Sequence, residues 1–209
     1  MFNTTIATQI YAKICFEATN SQKKIIENLS EYLSDDDFSR IFVLNGFAGT
    51  GKTTLIAALV AALKELRIKP VLLAPTGRAA KVLARYCGEQ ALTIHKRIYR
   101  QRTNADYESK FSLDFNREQG AVFIVDEASM LSDSTGDGAQ LPPVGCDFSP
   151  ALDPATVSRY GEVVYGLMDE VVRQQMQSGI LFNATLVRCM LENRIYEIPK
   201  FEMDYPDFE

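Results

Sequence analysis

The feature of this sequence that most constrains its fold is a glycine-rich stretch between two apolar runs. Residues Gly46–Thr53 read GFAGTGKT and match the pattern G-x-x-x-x-G-K-[ST] at every fixed position. The run Ile41–Leu44 before it is typical of a buried strand, and the Ala/Leu-rich run Leu55–Leu66 after it is typical of a helix. A glycine-rich turn that arose by chance would not need a strand before it and a helix after it. The order strand, loop, helix therefore predicts a phosphate-binding loop.

The residue types in this loop suit the binding of a nucleoside triphosphate. Glycines let the backbone curl until its N–H groups converge on phosphate oxygens, and the start of the next helix adds partial positive charge. Lys52 is expected to reach the outer phosphates, and the Thr53 hydroxyl is expected to bind Mg²⁺. The predicted nucleotide-binding residues of this stretch are Gly46, Ala48, Gly49, Thr50, Gly51, Lys52, Thr53 and Thr54.

A pair of carboxylates supplies the second half of the predicted site. The apolar run Ala121–Val125 is typical of a strand buried on both faces of a parallel sheet, and Asp126 and Glu127 follow it directly. We expect Asp126 to hold Mg²⁺, directly or through water, and Glu127 to polarise the water that attacks the γ-phosphate. An ordinary solvated strand end is the alternative, but the phosphate-binding loop upstream favours hydrolysis.

The alternation of strands and helices predicts an α/β domain with a mainly parallel sheet flanked by helices. A second strand at Val71–Ala74 is followed by a predicted helix at Ala79–Tyr86. Apolar spacing predicts another helix at Ser21–Leu33, with Ser21 as its N-cap. Further helices are predicted at Val163–Val172 and Gly179–Leu191, and a long loop or small insertion at Arg100–Gly120.

Length and composition set few further limits. A chain of 209 residues with 46% hydrophobic residues suits one large domain, alone or with a small appendage. No apolar run is as long as a membrane span, and Met1–Lys13 lacks the pattern of a signal peptide, so a cytoplasmic protein is expected. The cysteines are scattered without a C-x-x-C pair, which favours reduced thiols over disulfides or a metal site: Cys15, Cys87, Cys146 and Cys189.

The net charge of −5 conceals a basic segment. Residues Lys64–Arg102 contain ten Lys and Arg residues against Glu65 and Glu89, which gives this segment a charge of +8. Such a segment on an acidic protein suggests an anionic partner for one face. An ordinary solvated surface has the same composition, so charge alone leaves both interpretations open.

Five motifs that follow the glycine loop narrow the family. They are Ala74–Lys81 (APTGRAAK), Thr93–Lys96 (TIHK), Val125–Met130 (VDEASM), Gly136–Gly145 (GDGAQLPPVG) and Val172–Gln174 (VRQ). In this order the chain closely resembles the RecD-like branch of superfamily 1 helicases, relatives of the Pif-type enzymes, from about Gln22 to Arg188. The resemblance implies a RecA-like P-loop NTPase domain of an ATP-dependent DNA helicase that uses ATP and Mg²⁺.

The resemblance also implies roles for individual residues. Gln22 would read the adenine base, Gln140 would contact the γ-phosphate, and Arg173 would stabilise charge in the transition state. Residues of the basic segment would line the path of single-stranded DNA: Thr76, Arg78, Lys81, Thr93 and His95. The expected partners are single-stranded DNA and duplex junctions. The alternatives are a helix-surface amide for Gln22, a buried histidine for His95 and a surface ion pair for Arg173.

The chain departs from the family pattern in two places. Only five residues separate Met130 from Gly136, too few for the helix and strand that the family has there. Either this protein lacks that strand or residues are missing near 132–136, and we expect the second. Nothing after Arg188 resembles the second RecA-like domain that such motors need, so the chain is expected to bind ATP weakly and hydrolyse it poorly. The expected division is a first RecA-like domain at 1–195, with a possible small insertion near 86–119, and an acidic tail or the start of the second domain at 196–209.

Two other functions remain open at this point. One is a regulatory module that binds ATP without acting as a motor, which the short chain and acidic charge favour. The set Lys52, Asp126, Glu127 and Gln140 argues against it, because such a module needs no hydrolytic residues. The other is a helicase that acts on RNA, since residues that grip phosphates do not distinguish the two sugars.

Overall fold

The fold is described by a computed structural model that covers residues 2–35, 40–47, 49–103, 109–113, 116, 118, 120–131, 153–170 and 172. In this part of the chain the helices are α1 (Phe2–Lys13), α2 (Asn20–Ser34), α3 (Lys52–Glu65), α4 (Gly77–Cys87), α5 (Ile94–Ile98) and α6 (Pro154–Val157). The strands are β1 (Ile41–Gly46), β2 (Pro70–Ala74), β3 (Ala91–Thr93), β4 (Tyr99–Thr103), β5 (Ser109–Leu113), β6 (Val122–Val125) and β7 (Val163–Met168). A 3₁₀ turn covers Ala128–Met130.

These strands form two parallel sheets and one antiparallel hairpin. In the first sheet β1 pairs with β7, from Ile41 opposite Val163 to Gly46 opposite Met168. In the second sheet β2 lies between β3 and β6 and is parallel to both. The predicted α/β fold, with mainly parallel strands flanked by helices, is therefore confirmed.

Both parallel sheets contribute to one hydrophobic core. Helices α1, α2 and α3 fill this core with aliphatic side chains, which in α3 follow the helical spacing of Leu55, Leu59 and Leu63. Phe42 of β1 and Ile124 of β6 pack against the same cluster. Full burial of such a side chain stabilises a fold by about 1.5–3 kcal/mol. The strands that carry the glycine loop and the two carboxylates therefore pack on the same hydrophobic core.

The segment Val163–Val172 contains strand β7, so the prediction of a helix there was wrong. Side chains alternate along this strand, with Tyr165 and Leu167 exposed and Gly166 and Met168 buried. The β-branched and aromatic residues at its start favour extended backbone, and pairing with β1 satisfies their peptide groups. Pairing with β1 makes this segment a strand, and the local sequence pattern does not reveal that pairing.

Helix α2 confirms the helix predicted at Ser21–Leu33, but its N-cap is Thr19 and not Ser21. Thr19 Oγ1 accepts a hydrogen bond from the backbone N of Gln22 at 3.3 Å, and Gln22 Oε1 accepts one from the backbone N of Thr19 at 3.0 Å. This capping box satisfies two N–H groups at a helix start, and its T-x-x-Q signature is visible in the sequence. Ser21 lies buried in the first turn.

The region predicted as a long loop or small insertion, Arg100–Gly120, contains most of the β4–β5 hairpin. Glu118 anchors the far end of this region. Its carboxylate accepts a hydrogen bond from Lys69 Nζ at 2.6 Å and lies 3.2 Å from Arg97 Nη2. These contacts tie Glu118, which follows the β4–β5 hairpin in the chain, to Lys69 before β2 and to Arg97 of α5.

Some predictions fall on residues outside those that the structure describes. These are the helix at Gly179–Leu191, the missing segment near 132–136, and the state of Cys146 and Cys189. Cys15 and Cys87 have free thiols. Within the described ranges, β1 and β6 each have one paired neighbour, and every helix is too short or too polar to cross a membrane.

We predict that Gly166→Ala weakens the packing of α2 on β7. The added methyl group would lie 2.4 Å from Ile25 Cδ1 and 3.1 Å from the Phe42 ring, and Ile25 is too deeply buried to move aside freely. Urea unfolding should show a loss of about 1–3 kcal/mol. Gly77→Ala is the matched control, because nothing lies within 4 Å of its added methyl group. Equal stability of the two variants would contradict the described packing.

Candidate active site

The loop after β1 has backbone conformations that favour glycine. Gly49 and Gly51 have φ angles of 76° and 85°, in the left-handed region. Between them the Thr50 side chain is fully buried, and its Oγ1 donates to Phe47 O at 2.8 Å. Gly51 is the N-cap of α3 and has no side chain, so the first N–H groups of the helix receive no side-chain cap from it. Uncapped N–H groups at the start of a helix form a binding site for an anion.

Lys52, the first residue of α3, folds back over the loop. Its Nζ donates to Gly46 O at 2.6 Å and to Phe47 O at 2.7 Å. An ammonium group carries three rotatable donors on a flexible stem, so it can exchange carbonyl oxygens for phosphate oxygens. The charge of Lys52 is therefore held at the loop, where its predicted role in phosphate binding requires it.

The end of β7 and the residues after it brace the loop through backbone hydrogen bonds. Phe47 N donates to Met168 O at 3.1 Å, which extends the β1–β7 ladder by one residue. Val172 N donates to Gly49 O at 3.2 Å. The conformation of the loop is thus coupled to a segment more than a hundred residues further along the chain.

Gln22 braces the loop from α2. Its side chain is 1% exposed, and its Nε2 donates to Thr50 O at 2.9 Å. A Cβ atom at Gly51 would lie only 2.7 Å from this Nε2, so the amide reaches the loop because residue 51 is glycine. The alternative of a helix-surface amide for Gln22 is wrong, whereas adenine recognition by Gln22 stays a prediction. The brace itself has no local sequence signal, because it joins residues 28 apart.

Asp126 and Glu127 lie directly after β6, as predicted. Asp126 N donates to Leu73 O at 3.0 Å, and Asp126 Oδ1 accepts a hydrogen bond from Glu127 N at 3.0 Å. Glu127 is exposed and has a φ of 55°, a left-handed conformation that costs a non-glycine residue about 1–3 kcal/mol. Backbone strain of this kind concentrates at functional sites, which fits the role predicted for Glu127.

The predicted magnesium ligands, Thr53 and Asp126, offer few protein oxygens. Both residues are half-buried. Among the described residues, no group of three His, Cys, Asp or Glu could hold a metal ion. One hydroxyl and one carboxylate suit Mg²⁺, which commonly keeps water and phosphate oxygens as its other ligands. Burial, aided by the charges of Asp126 and Glu89, raises the pKa of the Cys87 thiol, so this thiol is neutral at pH 7 and a poor ligand.

The threonines predicted to contact DNA are both helix N-caps. Thr76 Oγ1 accepts a hydrogen bond from Ala79 N at 3.2 Å, and Thr93 Oγ1 accepts one from Lys96 N at 3.2 Å. Thr93 is the last residue of β3 and pairs with Ala74, the last residue of β2, so the two caps lie at the same edge of this parallel sheet. A capping hydroxyl uses its oxygen as the acceptor and keeps its proton to donate, so a phosphate oxygen remains a possible partner.

The cationic residues predicted to contact DNA lie on exposed surface. Arg78 and Lys81 are exposed on α4, and His95 is exposed on α5. The alternative of a buried histidine for His95 is therefore wrong. Helical spacing also places two unpredicted residues, Arg85 and Tyr86, on the exposed surface of α4. The spacing of 78, 81 and 85 is visible in the sequence and could have identified this stripe.

Part of the basic segment is neutralised by nearby carboxylates. Lys64 pairs with Glu89, and Glu118 pairs with both Lys69 and Arg97. No ion pair in the described part of the chain includes the exposed cations of α4. Fewer cations of the basic segment are thus available to an anionic partner than its charge of +8 suggests. Three predicted site residues lie outside the described residues: Ala48, Gln140 and Arg173.

We predict that Gly51→Ala lowers nucleotide affinity. Its methyl group would displace Gln22 Nε2 from Thr50 O, in addition to straining the backbone. Gly88→Ala is the matched control, because Gly88 has a left-handed φ of 65° and nothing within 4 Å of the added methyl group. Gly88→Ala should lose about 1–2 kcal/mol of stability, and Gly51→Ala should lose more because it also breaks the buried Gln22–Thr50 hydrogen bond. Calorimetric titration with Mg-ATP should show weaker binding only for Gly51→Ala. Equal affinities would contradict this account of the loop.

Comparison with known proteins agrees with the fold and the loop. A sequence profile described as an AAA domain matches residues 17–179. The chain is also similar to the ATP-dependent RecD2 DNA helicase of Deinococcus radiodurans, with 28% identity in an alignment of length 141 that covers 59% of this chain and 19% of that protein. The chain spans about a fifth of the length of this relative. The chain therefore belongs to the AAA domain family and is a RecD-like P-loop domain of the superfamily 1 helicase type.

Proposed function

We propose that this chain is the ATP-hydrolysing part of a DNA helicase motor, which uses ATP and Mg²⁺ to move along single-stranded DNA and to open duplex junctions. The main support for this proposal is a phosphate-binding loop held in place by distant contacts and packed on the same core as β6, the strand that Asp126 and Glu127 follow. The name of the Deinococcus radiodurans relative supports it, although this chain spans a fifth of that protein. A cytoplasmic location is part of the proposal.

The proposed reaction is hydrolysis of the γ-phosphate. Water forms a new P–O bond as the bond between the γ-phosphorus and the β–γ bridging oxygen breaks, and a proton of the water passes to the Glu127 carboxylate. The Lys52 ammonium and the loop N–H groups balance charge on the phosphate oxygens. Thr53 and Asp126 would hold Mg²⁺, which supplies further charge at the β- and γ-phosphates.

The residues after β7 support a role for Arg173 at the γ-phosphate. Because Val172 N donates to Gly49 O at 3.2 Å, the residue before Arg173 is joined to the phosphate-binding loop. We propose that Arg173 stabilises charge in the transition state and that Gln140 contacts the γ-phosphate. Both assignments rest on the family resemblance, and the bond between Val172 and the loop supports the one for Arg173.

The proposed grip on DNA lies on α4, on α5 and at the ends of β2 and β3. Thr76 and Thr93 can donate their hydroxyl protons to backbone phosphates, and Arg78, Lys81 and His95 add exposed cationic or polar groups. Contacts of this type bind the backbone without reading the base sequence. They suit a motor that must step along any sequence.

The acidic net charge of −5 favours a second candidate, a regulatory module that binds ATP without moving along DNA. Such a module would need neither a strained Glu127 nor an exposed cationic stripe on α4. A third candidate is a helicase that moves along RNA. Competition between DNA and RNA oligomers of matched sequence distinguishes an RNA helicase from a DNA helicase, because only a contact to the 2′-hydroxyl favours RNA.

We predict that the chain hydrolyses ATP at a low basal rate and that a single-stranded thymidine oligomer increases this rate. Glu127→Gln should lower turnover by about 100-fold or more while Mg-ATP still binds, because it removes only the proton acceptor. Lys52→Ala should lose both binding and turnover. Nucleotide binding that no oligomer converts into faster turnover would contradict the motor and favour the regulatory module.

We predict that the cations of α4 contact DNA phosphates. Arg78→Ala and Lys81→Ala should each reduce the slope of log affinity against log salt concentration by about 0.7 for single-stranded DNA. Lys24→Ala, at an exposed position of α2, is the matched control and should leave the slope unchanged. Fluorescence anisotropy of a labelled thymidine oligomer measures this slope. Equal slopes for all variants would exclude α4 from the binding surface.

A further inference from the structure

We infer that Gln22 is a positioning residue that sets the orientation of the peptide between Thr50 and Gly51, and so aims the Gly51 N–H at the triphosphate. This inference deepens the proposed function and rests on it. It assigns Gln22 a task that does not depend on the nucleotide base. The adenine-reading role implied by the family resemblance is the competing assignment.

The orientation follows from the planarity of the peptide group. In a trans peptide the C=O of one residue and the N–H of the next point in opposite directions. Gln22 Nε2 donates to Thr50 O at 2.9 Å and thus holds this carbonyl towards the start of α2. The Gly51 N–H must then point away from α2.

A second peptide of the loop is held in the same way. Val172 N donates to Gly49 O at 3.2 Å, so the N–H of Thr50 points away from the residues after β7. A phosphate-binding loop needs successive N–H groups on one side, because a carbonyl turned to that side would repel the phosphate oxygens. Gln22 and Val172 therefore act on successive peptides of the loop.

The capping box decides which end of the Gln22 amide faces the loop. Gln22 Oε1 accepts a hydrogen bond from Thr19 N at 3.0 Å, which leaves Nε2 to face Thr50 O. A carboxylate has acceptors only, so a glutamate at this position would set one oxygen against another. The side chain of Gln22 is 1% exposed, so water is a poor substitute for the missing donor.

The two roles predict different ligand dependence. A residue that orients the loop acts on the phosphates, so it affects ATP, GTP and inorganic tripolyphosphate alike. A residue that reads adenine affects ATP alone. The test therefore measures dissociation constants of the magnesium complexes of these three ligands by calorimetry. The protein variants are the wild type, Gln22→Glu and Gln22→Met.

For both Gln22 variants we expect the dissociation constants of all three ligands to rise by a similar factor of about tenfold. Gln22→Glu keeps the acceptor for Thr19 N and removes only the donor. Thr19→Ala is the matched control, because it removes the hydroxyl cap and keeps the bond to Thr50. It should lower the melting temperature and leave the three dissociation constants unchanged.

A loss of affinity confined to ATP, or no loss for any ligand, overturns the inference. A wild-type protein that binds none of the three ligands contradicts the proposed function itself. If the Gln22 variants do not fold, the side-chain amide resonance of Gln22 in the wild type provides the answer. It should be the same in the ATP and tripolyphosphate complexes, whereas an adenine contact would shift it with ATP only.

Discussion

A phosphate-binding loop works only while its carbonyl oxygens point away from the anion, and in this chain contacts from distant residues fix these carbonyls. The Gln22 amide and the Val172 N–H hold two successive carbonyls of the loop. The loop is thereby held by two segments that lie far apart in the sequence, the start of α2 and the residues that follow β7. A third contact joins these two segments to each other, because Asn20 N donates to Glu170 Oε2 at 3.0 Å.

The hydrophobic core explains how these braces keep their positions. Helices α1, α2 and α3 share one buried cluster with β1, β6 and β7, so movement of α2 relative to β7 would separate packed side chains. At Gly166 the approach of α2 leaves no room for a methyl group. The same core supports β6, at whose end Glu127 adopts its strained left-handed backbone. Packing energy from the core can offset strain of this size, so the domain can keep a polar, strained site at the ends of its strands.

The sequence predicted the parts of this structure whose physics is local. The glycine loop, strands β1, β2 and β6 and helices α2, α3 and α4 each have a pattern that lies within the element itself. Strand β7 was predicted as a helix, because its structure depends on pairing with β1, more than a hundred residues earlier. The cap at Thr19 had a visible T-x-x-Q signature, and the choice of Ser21 overlooked it. The bond between Gln22 and Thr50 could not be predicted, since it requires the packed position of α2.

If the loop is already shaped for a triphosphate, Lys52 is the part that must move when the ligand binds. A crystal structure with Mg²⁺ and a non-hydrolysable ATP analogue tests this most directly. We expect the phosphates to lie against the loop N–H groups. Lys52 Nζ should have moved from Gly46 O and Phe47 O to phosphate oxygens, and Gln22 Nε2 should still be bonded to Thr50 O. A Gln22 side chain that has left Thr50 for the adenine ring, or a triphosphate bound away from the loop, would contradict it.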